Sequence, residues 1–135
     1  MNFKETYKEI QKASKYQYFD ICYWVNDWSC EVATCKFIDF DSEQEAFIVV
    51  GSTNWAKKID LAKIRYIAEP NPIALKYELK KEYLQHRGIV ARCEQNDDDH
   101  SNTYFENKGI ASYLYNALKQ VMRADDNQVC KFLEA

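Results

Sequence analysis

Residues 57–67 read Lys57-Lys58-Ile59-Asp60-Leu61-Ala62-Lys63-Ile64-Arg65-Tyr66-Ile67, and their spacing decides the fold. Ile59, Leu61, Ile64 and Ile67 space as a strand, one helical turn over Leu61–Ile64, and a closing strand from Arg65. Upstream, Trp55 opens the first of these strands. Ala46-Phe47-Ile48-Val49-Val50 before it is a short apolar run that predicts a buried strand with Ile48 at its centre. Gly51-Ser52-Thr53-Asn54 and Asp41-Ser42-Glu43-Gln44-Glu45 are turn signals on either side of that run. Before the acidic turn, alternation from Trp28 to Phe40 marks a long strand, and Asn26-Asp27 turns the chain because both side chains bond locally and tolerate left-handed backbone. The stretch Tyr16–Val25 is rich in aromatic and β-branched residues, which favour pleated positions. Its alternation sends Tyr16, Tyr18 and Trp24 to one face and Phe19, Ile21, Tyr23 and Val25 to the other. Five short strands joined by tight turns predict a small closed barrel, which removes exposed sheet edges.

Helical patterns flank this region. Phe3, Tyr7 and Ile10 lie on one face of a helix over residues 2–14 and form a stripe for docking on the core. Pro70-Asn71-Pro72 ends the strands, and a helix is signalled over 72–87, with Leu75, Leu79 and Tyr83 on one side and Gly88 as its stop. The piece 89–93 reads either as more helix or as a strand. Residues 94–102 contain four acidic groups and no apolar residue, which predicts an exposed loop. Ile110, Leu114, Leu118 and Val121 mark a last helix over about 103–123, with a short element after Asp125-Asp126-Asn127. The expectation is one α+β domain: a helix over 1–15, an antiparallel five-stranded barrel over 16–69, and a part over 70–135 whose two helices close over the barrel.

The run 57–67 resembles the last two strands of an SH3-like or Sm-like barrel. From Phe19 to Ile67 the hydrophobic rhythm is also similar to that of YolD-like proteins, small bacterial and phage proteins linked by gene neighbourhood to DNA-damage polymerases. The resemblance covers about 50 of the 135 residues and includes no catalytic residue. It implies an SH3/Sm-like fold and, for function, a DNA-repair accessory factor that contacts a polymerase.

With 47% apolar residues, 10 Tyr, 7 Phe and 3 Trp, the chain has the means to build a core and is not disordered. No stretch is long and apolar enough to span a membrane, and the charged start MNFKETYKEIQK is unlike a secretory signal. The cysteines at 22, 30, 35, 93 and 130 are odd in number and form no C-x-x-C pair. That spacing suits neither a disulfide framework nor a four-cysteine zinc site, and points to reduced thiols in a cytoplasm. The net charge is −3, with −1 in residues 1–68 and −2 in residues 69–135, so neither half is a basic nucleic-acid module.

No catalytic constellation emerges. Asp97-Asp98-Asp99-His100 comes nearest to a metal site, but it lacks the alternation and the glycine of a calcium loop and reads as a solvated loop. His86 reads as a charge at a helix end, and Gly51, Gly88 and Gly109 are too far apart to cradle a phosphate. No cofactor or metal is expected, and no enzyme. What remains is binding. Tyr16, Tyr18 and Trp24 supply aromatic contact area, while Asp39, Asp41, Glu43 and the loop Asp97, Asp98, Asp99 would suit a basic protein partner. The leading expectation is therefore a non-enzymatic, cytoplasmic, phage- or mobile-element-type protein that inhibits or modulates a larger nucleic-acid-handling protein, as anti-defence inhibitors and immunity proteins do. A third reading is a small-ligand or nucleotide binder. For that, and for direct nucleic-acid contact, the edge formed by Lys57, Lys58, Lys63 and Arg65 is the candidate.

Overall fold

The computed structural model describes residues 2–52 and 55–135. The expected turn at 51–54 therefore falls in part on Thr53 and Asn54, which lie outside the described residues. The chain forms two compact units, one ending at Leu75 and the other spanning Lys76–Ala135.

In the first unit, α1 (Phe3–Ala13) is followed by β1 (Tyr18–Trp24), β2 (Cys30–Asp41), β3 (Ala46–Val50), β4 (Ala56–Asp60), a 3-10 turn at Leu61–Lys63, and β5 (Ile64–Ala68). The strands form one antiparallel sheet in the order β4-β3-β2-β1-β5. Among the described residues no ladder joins β4 to β5, so the sheet is open where a closed barrel was expected. It is nevertheless strongly curled. Lys57 on β4 donates to the Tyr23 hydroxyl on β1 at 2.8 Å, across two intervening strands. Tyr23 of β1 also shares one buried core cluster with Ile59 of β4, although a flat sheet would hold those strands about 14 Å apart at ~4.8 Å per step. Bulges at Cys22/Tyr23 and Phe37/Asp39 supply local bending.

The inner face collects Phe19, Ile21, Tyr23, Cys35, Phe47, Val49 and Ile59, with Ile10 of α1. α1 starts at Asn2, whose side chain accepts the Glu5 N–H at 2.9 Å, and its predicted stripe docks as expected. Phe3 stacks on Phe40 at 4.3 Å between ring centres, and Tyr7 meets Phe37 at 5.1 Å. Thr6 is buried within this stripe because its hydroxyl is satisfied by the Asn2 carbonyl at 3.0 Å.

Two details of the strand reading change. Tyr16 and Gln17 adopt left-handed backbone (φ 53 and 74) in a turn closed by Lys15 and Tyr18, so Tyr16 leaves the strand face it was assigned to. In β3 the buried side chains are Ala46, Phe47 and Val49, while Ile48 is half-buried on the other face, in register with Asp39 and Lys58. Period-2 geometry allows only one parity to face the core, and the longer side chain at Phe47 takes it. On β1 that other face is also buried over Tyr18, Asp20 and Cys22. Asp20 is satisfied there by the Thr34 hydroxyl and by the Asn71 N–H at 3.1 Å, which ties the exit of β5 back to β1.

Three helices follow instead of two: α2 (Pro72–Gln95), α3 (Asn102–Met122) and α4 (Asp126–Glu134). Asn71 accepts the Ile73 N–H at 2.9 Å and Pro72 occupies the first helical position, as predicted. Gly88 is not a stop. The cost of a mid-helix glycine is about 1 kcal/mol, and the burial of Val90 and Cys93 on the continued apolar spacing offsets it. The expected loop 94–102 thereby shrinks to 96–101. The terminal element is a helix because Asp125 and Gln128 form a capping box. Within the second unit Lys80 donates to the carbonyls of Phe132 and Ala135 at 2.8 and 2.9 Å, a cation at the C-terminal end of α4. His86, now inside α2, pairs with Asn107 of α3 at 2.6 Å.

Candidate functional site

The predicted basic edge divides in two. Lys57, though exposed, is held by the Tyr23 hydroxyl and by Glu31 at 3.6 Å, and the hydrogen bond to Tyr23 chiefly raises its pKa. Lys58 pairs with Asp41 at 2.8 Å and with Gln44 at 2.9 Å. Lys63 and Arg65, by contrast, have no carboxylate within ion-pair distance among the described residues. The register passes from Cys22↔Tyr66 to Tyr23↔Ile64, so Arg65 is the extra residue of the β1–β5 bulge. Its guanidinium lies over the Trp24 ring at 5.4 Å and donates to Cys30 Sγ at 3.5 Å.

The β1–β2 turn completes this end of the sheet. Asn26 Oδ1 accepts the N–H of Trp28 at 3.1 Å and both the N–H and the hydroxyl of Ser29 at 2.8 Å. These bonds fix the turn with the Trp28 side chain 81% exposed. Trp24 is 38% exposed, Val25 41% and Tyr66 44%. Trp24, Asn26, Asp27, Ala62 and Lys63 line a hollow of about 320 Å³. Trp24, predicted as a binding residue, and Lys63 and Arg65, predicted as a separate edge, therefore form one surface.

The other predicted residues are placed differently. Tyr18 is fully buried and offers a partner no surface; Tyr16 is half-buried in its turn. Asp41 organises the β2–β3 turn by accepting the N–H groups of Glu43 and Gln44 at 3.0 and 3.1 Å. Its hydrogen bond from Lys58, then that from Gln44, holds its carboxyl below the usual range. Asp39 accepts the adjacent Phe40 N–H at 2.8 Å, and Glu43 is exposed on the turn. Asp97, Asp98 and Asp99 are exposed at the end of α2 in the second unit. Among the described residues no group of three or more His, Cys, Asp or Glu side chains is arranged to hold a metal ion, and no helix is long and apolar enough to cross a membrane.

Sequence reasoning missed Trp28, which was assigned to a strand. Asn26 followed three residues later by Ser29 was the available signal for a side-chain-bonded turn. The bulge at Arg65 has no such local signature. No family model, curated protein or solved structure matches this chain.

Proposed function

We propose that the chain is a non-enzymatic protein-binding module, built on an SH3-like curled sheet, that modulates a larger nucleic-acid-handling protein through the β1–β2 end of that sheet. The sheet order, the 3-10 turn before β5 and the reach of Lys57 to Tyr23 support the SH3-like description. The observation that carries the functional reading is Trp28, 81% exposed on a hydrogen-bonded turn beside the Trp24–Arg65 stack. An exposed tryptophan leaves apolar area in water at a cost, and Trp, Tyr and Arg are the residues that dominate binding energy at protein interfaces. Lys63 and Arg65 add positive charge with no ion partner among the described residues, so the matching surface carries carboxylates beside an apolar pocket. The acidic turn at Asp39, Asp41 and Glu43 is secondary in this reading, because Asp41 is already neutralised by Lys58.

The experiment is a tagged recovery of partners from bacterial lysate, with and without nuclease, by wild type, Trp28→Ala and Arg65→Glu. A stoichiometric protein that survives nuclease and is lost with Trp28→Ala is the expected result. Recovery that is equal for all three chains refutes the site. Recovery only of nuclease-sensitive material identifies the same surface as a single-strand stacking platform instead.

A further inference from the structure

The second unit contains a hollow that the sheet-end reading does not use. It measures about 270 Å³ and is lined by Tyr83 and Arg87 of α2 and by Lys108, Ala111, Ser112, Tyr115 and Asn116 of α3. Tyr83 and Arg87 are one helical turn apart, and Lys108, Ser112, Tyr115 and Asn116 repeat at the spacing of a single helix face. Two cations thus face one concavity. Neither Arg87 nor Lys108 has a carboxylate within ion-pair distance among the described residues. Lys108 is held by the Tyr104 hydroxyl at 3.3 Å and lies over that ring at 5.3 Å, so its charge is positioned but not neutralised. Asp126 is bonded to the lining: it accepts from Tyr115 at 2.9 Å and is itself paired with Lys119 at 3.1 Å. The bond from Tyr115 raises the pKa of its phenol above the ordinary value and holds its ring as a wall, 6.2 Å from the Tyr83 ring centre.

We infer that this hollow binds a small organic phosphomonoester, its head between Arg87 and Lys108 and its body against Tyr83, Ala111 and Tyr115. Two unneutralised cations match the nearly dianionic charge of a phosphomonoester at neutral pH better than that of a single carboxylate. Arg87 supplies the planar fork that suits phosphate oxygens, Lys108 a point charge, and Ser112 and Asn116 further hydrogen-bonding groups. The volume lies just under the ~300 Å³ at which small-molecule sites begin, which suits a ligand the size of a sugar phosphate.

The test uses the full chain and follows amide shifts by NMR during titration with inorganic phosphate, ribose 5-phosphate, AMP and adenosine. The expected result is saturable shifts at residues lining the hollow with ribose 5-phosphate or AMP, and none there with adenosine. Arg87→Ala and Lys108→Ala, both exposed and therefore expected to fold, each weaken that binding roughly ten- to hundred-fold, as loss of a charge-assisted hydrogen bond does. Lys63→Ala/Arg65→Ala in the first unit leaves it unchanged, which separates this site from the sheet end. Absence of shifts at millimolar phosphorylated probe, equal binding of adenosine, equal binding of inorganic phosphate and both esters, or retained affinity in an Arg87→Ala/Lys108→Ala double variant would each overturn it.

Discussion

Phe47→Ala tests both the register and the core of the sheet. Phe47 is fully buried, and its ring meets Phe40 at 5.0 Å, Phe3 at 5.7 Å and Phe37 at 6.0 Å. Removal of the ring loses up to about 3 kcal/mol of transfer free energy. The cavity left among three rings that cannot all collapse brings the total to about 3–5 kcal/mol. The unit that ends at Leu75 has 75 residues, and at ~0.05–0.15 kcal/mol per residue it holds roughly 4–11 kcal/mol. The substitution therefore consumes about a quarter or more of its stability. Trp24, Trp28 and Trp55 all lie in that unit, so tryptophan fluorescence during urea unfolding reports on it, while far-UV circular dichroism is dominated by the helices. The control is Ile48→Ala, next in sequence but half-buried on the other face, for which the expected cost is at most about 1.5 kcal/mol. If Ile48→Ala shifts the fluorescence midpoint as far as Phe47→Ala, β3 is out of register by one residue and the packing argument fails.

Glycine replacements give opposite signs at different sites. Gly51→Ala brings its new methyl into the Trp55 ring, so it is expected to destabilise the sheet unit and perturb the fluorescence of the folded state. Gly88→Ala and Gly109→Ala meet nothing within 4 Å and are each expected to stabilise by about 0.5–1 kcal/mol, read as a rise in thermal midpoint. Asp41 predicts an acid limb. Its folded pKa is lowered by Lys58 and by the turn N–H groups, so its contribution is complete above the unfolded value near 3.9 and disappears as pH falls through the folded value. Stability measured from pH 6 down to 2 should decline less steeply in Asp41→Asn, which keeps the Oδ1 acceptor of the turn; an unchanged slope refutes the assignment.

Local features set the elements. Asn2, Asn71 and Ser101 cap three helices because a short polar side chain can bond the free N–H groups of a first turn, and no distant residue is needed for that. The strand–turn–strand pattern of residues 57–67 and the Phe3–Tyr7–Ile10 stripe were likewise legible, since periodicity is a property of consecutive residues. Where two local rules competed, the one with tertiary support prevailed: Gly88 argued for a helix end, and burial of Val90 and Cys93 carried the helix to Gln95.

The candidate sites were less legible. The charges of Lys57, Lys58, Lys63 and Arg65 look equivalent along the chain, yet the sheet gives the first two their partners Tyr23, Glu31 and Asp41 and leaves the last two without an ion pair among the described residues. A one-residue bulge set Arg65 on Trp24, and the pairing of α2 with α3 set Arg87 opposite Lys108. The sequence by itself determined where most helices, strands and turns begin, because those starts depend on caps and on spacings of two to four residues. Only the tertiary structure decided which charges are neutralised and which aromatic rings stay exposed, because ion pairing and burial act between residues that the chain order keeps tens of positions apart.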